Sequence, residues 1–498
     1  MSKFLFVINR PEHWTFSTPE ATVVSARQYL TDPKYAALRG ARVINLCRSL
    51  AYQTNGYYVS LIAEARGHKP LPRINTIQDV KSASIIRSAS GDLDELADRT
   101  LAHLTENTFE LAVYFGRGVH KHYDQLCRQI FNTFPAPLLR ATFRRDDEDG
   151  WELRNVSTIS VHDVPGEHVP VLRDRADEFV RRDSAPARPK PGARYDLAIL
   201  WDKTEQNSAS NEKAIQRFIR AADKLDIDAE IIDRDDFGRI GEFDALFIRS
   251  TTAVNNHTFR FARVAEAEGL VVVDDPASII RCSNKVYLAE LFRHHDIPAP
   301  QTEVLHRDNI DAVLERLGLP VVLKQPDSAF SLGVKKAATP DDYRRLASEL
   351  LDKSDLVIAQ RYLPTEFDWR IGILDGRPLY ACKYHMARGH WQIYNPAAAT
   401  ASEKLSAKVS GRHETIPVEL APRPVVRAAL KAANAIGRGL YGVDVKVAGP
   451  DGGKPCVVEV NDNPSIDAGV EDTVLREQLY ERVMEYFLKR LEEVSGER

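Results

Sequence analysis

Two stretches near the C-terminus alternate in a way that fixes the faces of a hairpin. Gly442-Val443-Asp444-Val445-Lys446 and Val458-Glu459-Val460-Asn461-Asp462-Asn463-Pro464 are valine-rich with polar residues at every second position, the pattern of half-buried strands, and Gly449-Pro450-Asp451-Gly452-Gly453 between them reads as a turn. Folding about that turn sets Asp444 opposite Glu459. Glu459 and Asn461 then share a face, with Val458 and Val460 on the other. Opposed carboxylates destabilise a sheet unless a cation lies between them, and oxygen donors suit a hard divalent ion such as Mg2+ bridging to phosphates. A solvated acidic hairpin face is the plainer alternative.

Elsewhere the periodicity changes by region. In the first 180 or so residues, Phe4-Leu5-Phe6-Val7-Ile8, residues 42–46 and residues 111–115 read as buried strands, and residues 93–105 and 121–131 as helices, a mixed α/β pattern. Residues 40–58 interleave polar and aromatic groups. Arg48 and Tyr52, four apart, could share a helical face, in a ligand pocket or, more plainly, a domain contact. A charged helical stretch over 173–182 leads into residues 184–192, where three prolines mark a stiff linker. Strands at 195–200, 229–232, 245–248 and 270–273 then alternate with helices at 212–225 and 257–268, the pattern of a small parallel βαβ unit. Ligands meet such sheets at the carboxyl ends of strands, where Arg249 falls; it could bind a substrate carboxylate or be structural. From 283 two short helical stretches lead to the extended segment 295–300. Strand-rich sequence follows to about 394, then a helix over 422–440, the acidic hairpin and a closing helix over 472–493.

Length and composition narrow the class. The 498 residues suggest two to four domains, and 43% apolar with 28% charged residues describes a soluble globular chain. A net charge of −4 supplies no basic field for nucleic acid, and no apolar run is long enough to span a bilayer. Five dispersed cysteines without CxxC spacing, and an N-terminus unlike a signal peptide, point to a cytoplasmic protein with reduced thiols.

Further candidate chemistry lies between residues 320 and 385. The strand 320–326 ends in Lys324 and runs into the small-residue loop 328–334, which could cradle phosphates though no P-loop motif is present; a plain hairpin is the alternative. Asp368 and Arg370 share a strand face and could form an ordinary ion pair, and Lys383 offers another cation. Cations, a small-residue loop and an oxygen-rich hairpin within about 180 residues are the parts needed to hold Mg-ATP and steer a phosphoryl group.

With those residues in view, residues 194–491 resemble the ATP-grasp enzymes, and among them the RimK-type carboxylate–amine ligases. The resemblance rests on Ser283-Asn284-Lys285, Ile297-Pro298-Ala299-Pro300, Val322-Leu323-Lys324-Gln325-Pro326, Gln360-Arg361-Tyr362-Leu363, Asp368-Trp369-Arg370, Gly442-Val443-Asp444 and residues 459–465. Residues 43–49, 56–61 and 63–72 are similar to the uncharacterised domain found ahead of some RimK-like ATP-grasp domains. The resemblance implies an α/β (α+β) chain: an N-terminal mixed α/β domain (1–183), a Pro-rich linker (184–193), a small parallel βαβ pre-ATP-grasp domain (194–282) and an ATP-grasp fold of two antiparallel sheet/helix subdomains (283–498). It implies ATP contacts at Lys285, Lys324, Gln360, Tyr362, Leu363, Glu366 and Asp368. A flap over the phosphates would contain Ser328, Ser331 and Gly333, and two Mg2+ (or Mn2+) would sit on Asp444, Glu459 and Asn461. Arg370 and Lys383 would stabilise the transferring phosphoryl group, with Arg249 and Arg412 as substrate candidates. The flap departs from the family in lacking glycine pairs. The implied reaction activates an amino acid or peptide carboxylate, glutamate being one option, as an acyl-phosphate that an amine attacks. Kinase-like phosphoryl transfer and a nucleotide-binding regulatory or scaffold role are the alternatives. Homo-oligomerisation is open by analogy, and neither nucleic acid nor membrane is expected as a partner.

Overall fold

The computed structural model describes the chain apart from residues 1–3, 15–20, 39, 90, 147–149, 185–192, 206–207, 328–332, 394–410, 449–452 and 497–498. Nearly all of the proline-rich linker, the turn at 449–452 and the flap residues Ser328 and Ser331 therefore lie outside the described residues. The fold is mixed α/β with both parallel and antiparallel sheets. The chain divides into two compact units, one of Met1–Pro191 with Asp235–Glu242 and the other of Gly192–Arg234 with Phe243–Arg498.

The first unit contains a parallel sheet in the order Ala21–Ser25, Phe4–Ile8, Arg42–Asn45, Lys69–Leu71 and an antiparallel sheet of Thr108–Tyr114, Leu138–Asp146 and Gly150–Thr158. The central strand Phe4–Ile8 is buried throughout, which explains its unbroken apolar run. Arg48 and Tyr52 do not share a helical face. Residues 46–54 are irregular, and the helix Asn55–Ala65 begins only where Thr54 accepts a hydrogen bond from the Tyr57 N–H (3.4 Å).

The second unit carries three sheets. A parallel sheet runs in the order Val271–Val273, Ala245–Ile248, Tyr195–Leu200, Ile227–Ile232. Its apolar strands pack on one side against the amphipathic helix Glu212–Asp223 and the long C-terminal helix Glu477–Gly496, in a core that includes Phe218, Phe247, Tyr480 and Phe487. A four-stranded antiparallel sheet follows in the order Thr302–Leu305, Val357–Arg361, Val321–Lys324, Val334–Ala337. Two helices within the region expected to be strand-rich, Ile310–Leu317 and Pro340–Leu351, cover one face of it. Thr339 caps the second by accepting from the Asp342 N–H (3.2 Å), with Pro340 at the first helical position. The third sheet is antiparallel with five strands, His413–Ile416, Arg377–His385, Phe367–Leu374, Leu440–Val447 and Pro455–Asn461, backed by the helix Arg423–Ile436. That helix stops at Gly437, short of the expected 440, and Leu440 already belongs to a strand.

Candidate active site

The acidic hairpin forms in the register that alternation dictates: Asp444 pairs with Glu459 and Gly442 with Asn461. A bulge follows, because Val445 pairs with Val457, and the extra residue Val458 turns toward the cleft instead of away from it as expected. Val460 keeps its predicted place in the core.

The hairpin lines a cleft of about 780 Å³, together with residues of the four-stranded sheet and of the loop after strand Ala245–Ile248. That volume is ordinary for a nucleotide-sized ligand. The candidate nucleotide residues Lys285, Lys324, Gln360, Tyr362, Leu363 and Asp368 all line it, with Arg370, Asp444, Glu459 and Asn461. Most of the polar ones have a definite partner. The Arg370 guanidinium grips Asp444 with two N–H groups, Nε on Oδ1 and a terminal nitrogen on Oδ2 (2.9 Å). Lys285 Nζ lies 3.0 Å from Glu459 Oε1. Lys324 Nζ donates to Gln360 Oε1 (2.8 Å), and Gln360 Nε2 donates on to Thr302 Oγ1 (2.9 Å). Asn461 Nδ2 donates to Gly442 O (3.2 Å) and Asp444 Oδ2 (3.4 Å), which leaves its carbonyl oxygen as an acceptor.

Burial sets the electrostatics. Burial lowers the Lys324 ammonium, aided by Lys285 and Lys446 and opposed by Glu459 and Asp368, to a pKa of about 8. It leaves the Asp444 carboxyl above its ordinary range even with Arg370 upon it. For Glu459 burial acts in the same direction, but Lys285 and Lys324 outweigh it and hold the carboxyl below its usual value. Two half-buried carboxylates and an amide oxygen on one face, already attracting the protein's own cations, are chemically suited to a hard divalent ion. Among the described residues no group of three or more His, Cys, Asp or Glu side chains is placed to hold a metal; the third oxygen donor on this face is the amide of Asn461.

Five expected site residues do not line the cleft. Lys383 pairs with Trp369 across the sheet and so lies on the face opposite Arg370. Its ammonium meets Glu414 (3.1 Å) and the rings of Phe367 and Trp369. Arg249 is fully buried behind the cleft wall. Nε donates to Ser210 Oγ (3.0 Å), one terminal nitrogen to Asn463 Oδ1 (2.8 Å), and the other to Pro464 O (2.8 Å) and Ala209 O. Arg412 and Glu366 are exposed and line no part of the cleft. Gly333 is described at the end of the flap, at φ 74°, but does not line the cleft.

Lys446 and Tyr384 are among the lining residues that the sequence pattern did not single out. Lys446 bonds Asp368 Oδ1 (2.6 Å) and Thr365 Oγ1 (2.9 Å). Alternation from Asp444 places it on the same face and could have revealed it. Tyr384, opposite Asp368, takes the position assigned to Lys383. At one end of the cleft Tyr362, Trp391 and the ammonium of Lys336 cluster, with Lys336 Nζ 4.6 Å from the Tyr362 ring centre and 5.2 Å from that of Trp391.

Residues 26–175 match the family model described as RimK-like ATPgrasp N-terminal domain. A 233-residue stretch, 46% of the chain, is 25% identical to a "Probable alpha-L-glutamate ligase" of Teredinibacter turnerae and spans 71% of that protein. A 97-residue stretch, 19% of the chain, is 30% identical to the "Alpha-aminoadipate--LysW ligase LysX" of Saccharolobus solfataricus but spans only 35% of its length. The solved structure of a RimK domain ATP-grasp protein from Sphaerobacter thermophilus aligns over 59% of this chain and 99% of its own at 18% identity, with a TM-score of 0.43. The chain thus carries, at residues 26–175, a match to the RimK-like ATPgrasp N-terminal domain, and stretches of it are similar to proteins named as ligases.

Proposed function

We propose that the protein is an ATP-dependent carboxylate–amine ligase acting on an amino acid or peptide. The observation that carries this reading is the convergence of Lys285, Lys324 and Arg370 with Asp444, Glu459 and Asn461 along one cleft. The similarity to ligases supports it. Lys324 and Lys285 would meet the phosphates, and Gln360, Tyr362 and Leu363 the base. Asp444, Glu459 and Asn461 would hold Mg2+, which when bound neutralises phosphate charge. Arg370 faces the position of the transferred group. A carboxylate oxygen of the substrate attacks the γ-phosphorus, the bond to ADP breaks, and an acyl-phosphate forms. An amine nitrogen then attacks the acyl carbon, losing a proton as phosphate departs with the bonding electrons. The chain contributes positioning and charge neutralisation and no covalent nucleophile.

The test is a screen of paired amino acids and short peptides with Mg-ATP, reading ADP by a coupled assay and products by mass. A ligase gives ADP, phosphate and a new amide only when acid and amine are both present. A stable phosphorylated product, with no amide from any pair, would replace this reading with kinase-like phosphoryl transfer.

A further inference from the structure

Arg370 has a conflict built into its surroundings. Its guanidinium holds both oxygens of Asp444. If Asp444 turns its oxygens to magnesium, as the proposed function requires, the guanidinium loses part of its hold on them and needs a second support in the cleft. It also lies against the ring of Tyr384, whose centre is 5.6 Å from the guanidinium carbon. That ring is held from behind. The Tyr384 hydroxyl donates to Glu471, a carboxylate only 1% exposed, and Glu471 also accepts the Asp467 N–H (2.8 Å). Two more hydroxyls pin the same loop to the sheet: Tyr380 donates to Ser465 O (3.1 Å) and Thr415 to Val470 O (2.8 Å). These bonds hold the ring in place beside Arg370.

We infer that Tyr384, seated by Glu471, is a positioning residue: its ring face retains the Arg370 guanidinium over the phosphoryl-transfer position when Asp444 turns to the metal. This rests on the ligase reading, and the interaction is a cation–π contact that needs the ring and not the hydroxyl.

The full chain would be titrated calorimetrically with Mg-ADP and with Mg-ADP plus aluminium fluoride, a mimic of the phosphoryl group in flight. Tyr384→Leu should weaken the fluoride complex about tenfold more than it weakens Mg-ADP. Tyr384→Phe should restore most of that difference, and the Tyr384→Leu effect should vanish in an Arg370→Met background. Tyr384→Met, also ringless, serves the same comparison if the leucine variant unfolds early. Equal weakening of both complexes, a phenylalanine variant as impaired as leucine, or a full effect without Arg370 would each overturn the inference. A wild-type protein that binds neither complex would overturn the ligase reading, and this inference with it.

Discussion

Raising the pH should selectively loosen nucleotide binding through Lys324. Burial brings this ammonium to a pKa of about 8, whereas exposed lysines titrate near 10.4. Triphosphate binding needs the charged form. The apparent dissociation constant therefore scales with one plus the ratio of neutral to charged lysine: about 1.1 at pH 7, about 2 at pH 8 and about 11 at pH 9, a weakening of roughly tenfold between pH 7 and 9. The sign follows from linkage. The free protein has lost part of this proton by pH 8 and the complex regains it, so binding takes up about half a proton there. Calorimetry of Mg-ATP binding at pH 8 in two buffers of different ionisation enthalpy reads the uptake directly, and Lys324→Met should abolish both the uptake and the pH slope. A constant affinity from pH 7 to 9 with no proton uptake would refute the reasoning and place the phosphates away from Lys324.

Glu459→Gln, which removes the anionic partner of Lys285, should lower ADP formation about a thousandfold while circular dichroism shows an intact fold; retained turnover with normal Mg2+ dependence would contradict the metal assignment. Gly372→Ala should cost about 2 kcal/mol in denaturant unfolding, because a Cβ there would sit 2.3 Å from Cε1 of the buried Tyr380 ring. Burial raises the Glu471 carboxyl to about 7, so the folded state holds a proton that the unfolded chain releases above its ordinary 4.5. Its contribution is present below that value and is lost as pH rises toward 7, by about 3 kcal/mol at most, and Glu471→Gln should flatten that part of the stability profile in thermal melts.

The acidic hairpin was legible because alternation with period two leaves little freedom: once Asp444 faces Glu459, Asn461 follows. The same rule explains the error at Lys383. Proline, leucine and alanine precede it in a strand buried at its centre, so nothing in the local pattern distinguishes its two faces, and a shift of one residue exchanges Lys383 for Tyr384. The bulge at Val458 was invisible for a related reason, since an inserted residue in a valine-rich strand changes no local preference. Arg249 was correctly placed at a strand's carboxyl end. Its fate depended on Ala209, Asn463 and Pro464, segments far away in sequence, and local sequence cannot report such partners. The helices Ile310–Leu317 and Pro340–Leu351 carried their own signals, a threonine–proline start and apolar positions three and four apart, which the surrounding strands overshadowed.

The buried Arg249 clamp also determines which part of the second unit is free to swing. It ties the end of strand Ala245–Ile248 to the chain just beyond Asn461, and one continuous core joins that parallel sheet, the C-terminal helix and the ends of the five-stranded sheet at Leu374, Tyr380 and Leu440. The rest of the five-stranded sheet packs on the helix Arg423–Ile436. The four-stranded sheet has a separate core of its own, from Leu305 to Ala359, and carries Lys324 and Gln360. On the ligase reading, opening for product escape would fall to that smaller lobe, lifting the lysine and its amide partner away from the acidic hairpin.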